Sequence, residues 1–381
     1  MEKLKALWGW LNAQAGWLFL GGLAITAVWN WHKWRQDRAL ALRLRERRPE
    51  PVKLKATPKV SVLVAAWNEA DIIQQHIESF LRLRYPNKEL ILCAGGEDGT
   101  YEIARQYAGG QVVVLKQQPG EGKQRALQRC LGRASGEVVF LTDVDCLLDD
   151  EVFERTLAPI VDEGEPVATG VSRPLSEQRT HPFVLHRWFI EVGGVARWDR
   201  YTDGIQGANA ALRRDVLETV GGFEADVRTG TDYHLAKRVL SWGYSIRHAA
   251  DSAVETPYAE TLKEYQRQQT RWLRNVVMHG LRFGAYGEVV RCLIPSILGA
   301  LMLTGPLFAL CLGRVILMGW LLAWLHVFLS RLRYIRFGEQ ATGYPFPPGG
   351  YLRLPGYILA DFIIWTWTLL QYPFKSWRSQ W

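Results

Sequence analysis

Residues 137–146, EVVFLTDVDC, carry the reading of the fold. Glu137–Leu141 is an apolar, β-branched and aromatic run of the kind found in a strand buried on both faces. It stops at Thr142, and two carboxylates, Asp143 and Asp145, follow at i and i+2. Two carboxylates where a strand ends can face a divalent cation together with a ribose or diphosphate. Mg²⁺ and Mn²⁺ take oxygen ligands, commonly carboxylates plus substrate phosphates. An Asp-x-Asp is common by chance, and taken alone it reads as a solvated turn. The preceding chain decides otherwise. Residues 60–66 (VSVLVAA), 89–93 (ELILC) and 111–115 (QVVVL) are three more strand-like runs, separated by helical spacing over 71–83 and 101–107. A further helical stretch, 123–131, precedes the fourth strand. Alternating strands and helices predict an α/β domain with a doubly wound sheet, whose ligand site lies beyond the carboxyl ends of the strands. Chemistry is therefore expected at Asn68-Glu69, Gly95–Thr100 and Thr142–Cys146.

The flanks of this domain are of another kind. The chain has 381 residues, 48% of them hydrophobic, a net charge of +8 and 17 Trp. That excludes a disordered protein. Five widely spaced cysteines exclude a disulfide scaffold and suit a reducing compartment. Six Trp fall in the first 34 residues and six more from Trp320 onward, including Trp377 and Trp381. Trp favours the membrane–water interface. Residues 15–31 are apolar apart from Asn30, and with the weaker stretch from Ala6 they reach the roughly 20 residues of a spanning helix. A cleaved signal peptide is the rival reading, without a small-residue cleavage site to support it. Residues 32–55 hold nine Lys/Arg against Asp37, Glu46 and Glu50, a net +6. By the positive-inside rule this cuff and the domain after it are cytoplasmic. A nucleic-acid patch is the alternative, but adjacency to an apolar helix already explains the charge. Toward the C-terminus, 293–313, 315–330 and 354–374 are apolar, the last interrupted by Asp361. They predict three more spanning helices, with Arg331, Arg333 and Arg336 in a cytoplasmic connection that continues through a Gly/Pro-rich loop. Residues 293–330 read alternatively as a re-entrant hairpin. The expected organisation is a transmembrane signal anchor (1–34), a basic linker (35–57), a catalytic domain (58–256), interfacial helices (257–288) and C-terminal transmembrane helices (289–381).

Two later segments carry further candidates. Asp232 opens a helical stretch, 231–244, where backbone N–H groups favour its charge, though a plain helix cap reads the same. Gln268, Arg271 and Trp272 fall at i, i+3 and i+4, so one helical face offers an amide, a guanidinium and an indole. Arg pairs with phosphate and Trp stacks on sugars or bases. Both residues also suit a membrane anchor.

In this order the pieces resemble the membrane-embedded branch of glycosyltransferase family 2, which includes the synthases of cellulose, hyaluronan, chitin and poly-N-acetylglucosamine and ceramide glucosyltransferase. The resemblance rests on Val60–Glu69, Asp98-Gly99-Thr100, Gly122-Lys123 with Ala126-Leu127, and Asp143-x-Asp145. It continues through Gly207-Ala208-Asn209-Ala210, Arg213-Arg214, Gly221-Gly222-Phe223, Asp232 and Gln268-x-x-Arg271-Trp272. It implies a GT-A type domain that binds a nucleotide-diphospho-sugar through Ala66, Asn68, Glu69, Asp98, Lys123, Asp143 and Asp145. Asp145 would be the ligand of Mg²⁺ or Mn²⁺ and Asp232 the general base of an inverting transfer. Gln268, Arg271 and Trp272 would hold the diphosphate and the acceptor.

Two departures stand out. The acidic pair usual after the second strand is replaced by Cys93-Ala94-Gly95-Gly96-Glu97, which puts the hydrogen bond to a uracil N–H in doubt. Thr231 stands where Glu often precedes the base. Four spanning helices are few for a self-contained polymer channel. A lipid or short-glycan acceptor is therefore expected for a β-linked transfer from a UDP-sugar, with a processive β-polysaccharide synthase as the alternative. A membrane scaffold that binds nucleotide-sugars without turnover is the reading from a different class. Membrane lipids are expected partners, an oligomer or accessory subunit is compatible, and no nucleic acid is expected.

Overall fold

The computed structural model describes residues 1–46, 52–197, 200–227 and 229–371. Part of the basic cuff (47–51, including Glu50) and the terminal Trp377 and Trp381 lie outside the described residues.

The expected strands form β1 (Val60–Trp67), β2 (Lys88–Gly95), β3 (Val112–Lys116) and β4 (Val138–Leu141), all parallel in the spatial order 3-2-1-4. The sheet then departs from a purely parallel, doubly wound one. β6 (Ala210–Arg213) runs antiparallel to both β4 and β5 (Val167–Pro174), and β7 (Arg247–Thr256) closes the far edge parallel to β5. The seven strands lie in the order 3-2-1-4-6-5-7. β6 is only four residues long, too weak a periodic signal to announce itself in sequence.

The described residues form fourteen helical segments, one of them a short 3-10 helix; the thirteen α-helices are numbered here in chain order. α3 (Ile73–Arg82), α4 (Thr100–Arg105) and α6 (Asp150–Glu163) cover one face, and α5 (Gly122–Leu131), α8 (Arg214–Thr219) and α9 (Thr231–Ser241) the other. Alternation along the strands assigns the two cores. Val62, Val64, Leu90 and Phe140 pack on Ile77, Phe80 and Phe153, whereas Leu63, Ile91 and Val139 pack on Leu127, Cys130 and Val239.

The remaining helices are α1 (Glu2–Ala13), α2 (Ala15–Glu46), α7 (Pro182–Val195), α10 (Leu262–Arg282), α11 (Tyr286–Leu312), α12 (Arg314–Thr342) and α13 (Pro348–Gln371). α10 starts at a capping box in which Thr261 and Glu264 satisfy each other's backbone N–H groups. Among the described residues α11 and α12 are long and apolar enough to cross a membrane, and α1 with α2, bent by 66°, adds a third span if counted as one. At 27 residues α11 is about 40 Å long, more than a hydrocarbon core of about 30 Å. α13 does not reach that measure. The expected connection containing Arg331, Arg333 and Arg336 is instead the last turns of α12. Helix continues there because each cation meets an acid: Arg331 donates to Asp361 (2.7 Å), Arg333 pairs with Asp37, and Arg336 donates to Glu339 (3.0 Å). α11 and α12 turn back on each other at Gly313, and Trp320 Nε1 donates to the Met302 carbonyl across the turn (2.8 Å).

α7 links the two parts. Its Leu185, Trp188 and Phe189 form one core with Ile335 of α12 and Leu354 and Ile358 of α13. Asp37 of α2, buried, accepts from Arg197 just past α7 (2.5 Å) as well as pairing with Arg333.

Candidate active site

A cleft of about 560 Å³ opens at the carboxyl ends of the parallel strands, where such sheets bind ligands. It is lined by Ala65, Trp67, Glu69, Gln117, Gln118, Gly120, Gly122, Lys123, Asp143, Val144, Asp145 and Arg271. Strand period two places the first of these: Ala65 and Trp67 face the cleft, while Ala66 between them is buried in the core beneath α3. The sequence reading named Ala66 for the ligand, one residue out of register for a side-chain contact.

Asn68 and Asp98 build the cleft's wall and do not line it. Asn68 ends β1 at φ 58°, the only non-glycine residue among those described with positive φ, a conformation Asn tolerates better than most residues. Its Oδ1 accepts from the Glu97 N–H (2.9 Å), and Gly96, at φ +129°, lies so close that a Cβ there would stand 2.2 Å from that oxygen. Asp98 accepts from the Thr100 N–H (3.0 Å), the Thr100 hydroxyl (2.6 Å) and the Ala70 N–H (3.0 Å). The Thr100 hydroxyl also accepts from the Glu69 N–H (2.7 Å). The Asp-Gly-Thr turn thus orients Glu69, which does reach the cleft. Those hydrogen bonds, the Thr100 hydroxyl first, hold the Asp98 carboxyl below its ordinary value.

The charged residues divide by their environment. Lys123, in the first turn of α5 behind two positive-φ glycines (Gly120 and Gly122), pairs with Asp143. Burial alone would raise the Asp143 carboxyl, but Lys123, with Arg271 beyond it, brings it below the usual range. Asp145 has no such cation: burial and the neighbouring charge of Asp143 raise it. Glu69 is raised too, by burial and then by Asp145, Asp98 and Asp143. Excess negative charge therefore collects around Asp145 and Glu69, and excess donor capacity at Lys123, Arg271 and the α5 N-terminus. A divalent cation suits the first and a diphosphate the second. No group of three or more His, Cys, Asp or Glu among the described residues is arranged to hold a metal.

Behind this loop lies fully buried His76, unremarked in the sequence. Its Nδ1 bonds the Cys146 carbonyl (2.7 Å), and burial lowers its pKa to about 4, so the ring is neutral.

Asp232 sits in the first turn of α9, accepts from the Tyr233 N–H (2.8 Å), and lies against Gly207, where a Cβ would be 3.1 Å from its own. Its charge is felt by Lys123, which joins it electrostatically to the cleft. α9 is fixed from the membrane side: Tyr233 and Lys237 both donate to Glu288 in the first turn of α11 (2.8 and 2.5 Å). Gly230, at φ +65°, packs against Asn275 of α10.

Gln268, Arg271 and Trp272 all lie on α10 but not in one place. Arg271 lines the cleft and also a second cavity of about 610 Å³, which Gln268 lines together with Gln178, Tyr258, Glu260, Glu264 and Arg267. Trp272 is 42% exposed and lines neither. Gln117 and Trp67 were missed. The segment QQPG follows β3 just as the named loops follow β1, β2 and β4, so the rule that flagged those loops reaches it too.

A mixed sheet of this order, with an acidic and basic cleft at the carboxyl ends of its parallel strands, is of GT-A type. The chain belongs to glycosyltransferase like family 2, which it matches over residues 58–275. Among curated relatives it is 28% identical over 237 residues to the "Probable glycosyltransferase YdaM" of Bacillus subtilis (58% of this chain, 56% of that one). It is 24% identical over 225 residues to the poly-β-1,6-N-acetyl-D-glucosamine synthase of Staphylococcus epidermidis (56% and 53%). The chain thus spans about half the length of these relatives. Among solved structures it resembles the mannosyltransferase PcManGT of Pyrobaculum calidifontis, solved with GDP-mannose and Mn²⁺, at TM-score 0.52 and 21% identity over 95% of this chain and 96% of that one. This likeness is one of fold, GT-A type, and it extends over nearly the whole chain, terminal helices included.

Proposed function

We propose that the protein is a membrane-embedded inverting glycosyltransferase that moves a sugar from a nucleotide-diphospho-sugar, a UDP-sugar by family, onto a lipid or growing glycan acceptor. The observation that carries this reading is the single cleft in which Lys123, Asp143, Asp145, Glu69 and Arg271 converge at the carboxyl ends of the parallel strands. Lys123 and Arg271 hold the diphosphate, and Asp143 touches the ribose or donor. Asp232 takes the proton of an acceptor hydroxyl as its oxygen forms a bond to the anomeric carbon, while the bond from that carbon to the diphosphate oxygen breaks. Attack opposite the leaving group converts an α-linked donor to a β-linked product. Mg²⁺ or Mn²⁺ held by Asp145 would supply positive charge for the departing diphosphate. Gln268 and Trp272 serve the acceptor, with the second cavity on the far side of Arg271 as its approach. The basic residues after the apolar part of α2 support a catalytic domain on the cytoplasmic side, at the plasma membrane in a prokaryote.

A lipid acceptor is favoured by the two or three helices among the described residues that are long and apolar enough to span, few to line a polymer channel. The named activity of the Staphylococcus relative favours the second reading, a processive β-polysaccharide synthase. Incubating the purified chain with membrane lipid extract and labelled UDP-sugars or GDP-sugars tests both. One labelled glycolipid supports single transfer, high-mass material supports the synthase, and nucleotide binding without any transfer would make the chain a scaffold.

A further inference from the structure

The cleft has a corner away from its charged end. Trp67 ends β1, Gly95 ends β2 and Gln117 follows β3, and the three meet. A Cβ at Gly95 would stand 2.7 Å from the Gln117 carbonyl, 2.9 Å from the Gln117 Cβ and 2.9 Å from the Trp67 indole. Only glycine lets the two side chains close over that strand end, which is also where the family's acidic residues are missing here. Gln117 is pinned by its N–H to the Ala94 carbonyl (2.8 Å) and lines the cleft at 5% exposure. Its Oε1 has no hydrogen-bond partner. Trp67, 37% exposed, lines the same cleft.

A buried amide oxygen without a donor is unfavourable until something supplies one. The last torsion of Gln is soft, so the amide can turn toward a ligand. A flat heterocycle with a ring N–H beside a carbonyl suits both amide atoms: the amide oxygen accepts the N–H, and the amide N–H donates to the carbonyl. An indole beside it offers a face for stacking. The geometry points to Gln117 as the residue that reads the donor's nucleobase, with Trp67 as its stacking surface, in a corner that takes a lactam base, uracil or guanine. The lactam N–H is more acidic than the exocyclic amino groups of adenine and cytosine and is the better donor to that oxygen. This inference rests on the nucleotide-sugar reading above and replaces the absent carboxylate with a neutral amide.

The test is nucleotide binding by the purified full chain, with UDP, GDP, ADP, CDP and inorganic diphosphate each titrated in the presence of Mg²⁺. The expected result is a preference of at least tenfold for UDP or GDP over ADP and CDP; which of the two prevails names the base. Gln117→Ala should weaken the preferred nucleotide about tenfold and leave inorganic diphosphate within twofold. Gln117→Glu, which keeps the shape but can only accept, should widen the ratio of the preferred nucleotide to CDP and ADP. Equal binding of all four nucleotides, or a loss of diphosphate binding equal to the loss of nucleotide binding in Gln117→Ala, overturns the inference and leaves the transferase reading standing. Failure of every nucleotide and of diphosphate to bind overturns both.

Discussion

Two regions of this molecule bury charge, and they treat it oppositely. In the seam between the catalytic domain and the terminal helices the buried acids Asp37 and Asp361 each have a counter-charge. Asp37 meets Arg197 and Arg333, and Asp361 accepts from Arg331 (2.7 Å) and from the Tyr265 hydroxyl (2.6 Å), which Arg187 also contacts. In the cleft the balance is deliberately incomplete. Asp145 and Glu69 repel each other and Asp143, and Arg271 forms no ion pair among the described residues. Paired charges in a low-dielectric seam fix geometry, whereas unsatisfied ones are held ready for a ligand. The seam is therefore read as architecture and the cleft as chemistry.

That division breaks most visibly at Asp232. Replacing it with Asn keeps its size and its cap on the Tyr233 N–H but removes the base. Sugar transfer should fall about 10²–10⁴-fold, with nucleotide affinity unchanged, as measured by product formation alongside UDP or GDP titration. Transfer that continues at the wild-type rate would move the base from Asp232, which does not line the cleft, to a residue that does. The next effect belongs to the seam. Asp361→Ala leaves Arg331 buried and uncompensated, and losses of about 3–5 kcal/mol are typical of such changes. Thermal unfolding in detergent should show it, and Asp361→Ala combined with Arg331→Met should recover part. If Asp361→Ala instead kept its stability and lost transfer, the seam would be part of the chemistry.

Much of the catalytic half was legible before any coordinates. Strands β1 to β4 were found within two residues because each is an unbroken apolar run between helical stretches. Asp143, Asp145 and Glu69, which line the cleft, were legible because the ends of buried strands are the places a polar residue must face something, whereas Lys123, on α5, entered only through the family resemblance. What escaped depends on three-dimensional neighbours. β6 carries too few residues for a period, and Ala66 against Ala65 is a one-residue phase that apolar runs do not reveal. Arg331 and Arg333 looked like a loop because their acids, Asp361 and Asp37, lie 30 and 296 residues away. Gln117 has no charge and His76 no motif. Both matter through what surrounds them.

His76 gives the third effect and sharpens the comparison, since it supports the Asp143–Cys146 loop while carrying no charge. Burial holds its pKa at about 4, against about 6.5 in an unfolded chain. Between those values the unfolded state binds a proton that the native state does not. The stability His76 provides is thus fully present above about pH 6.5 and is lost as pH falls toward 4, by about 3 kcal/mol in all. Asn at this position can still donate to the Cys146 carbonyl but does not titrate. Melting curves of wild type and His76→Asn between pH 7.5 and 4.5 should diverge in the acid range, the variant losing less. Parallel curves would place the titration of the wild type elsewhere, for instance at His234, whose pKa is also lowered to about 4 by burial.

The smallest effect is expected at Trp272, and it separates the cleft from its surroundings. The indole is 42% exposed and lines neither cavity, although Arg271 beside it lines both. Successive residues on a helix point about 100° apart, so neighbours in sequence do not share a face. Trp272→Phe should therefore leave nucleotide affinity within twofold, while Arg271→Gln, which removes a guanidinium from the same cleft as Lys123, should weaken inorganic diphosphate and nucleotide alike. A Trp272→Phe variant that also raises the KM for the acceptor alone has lost a ring that reaches the acceptor from outside the donor cleft, and the chemistry of this protein extends along α10 toward the membrane. A loss of nucleotide binding in Trp272→Phe as large as that in Arg271→Gln would remove the distinction between the two residues and extend the donor site across both faces of the helix.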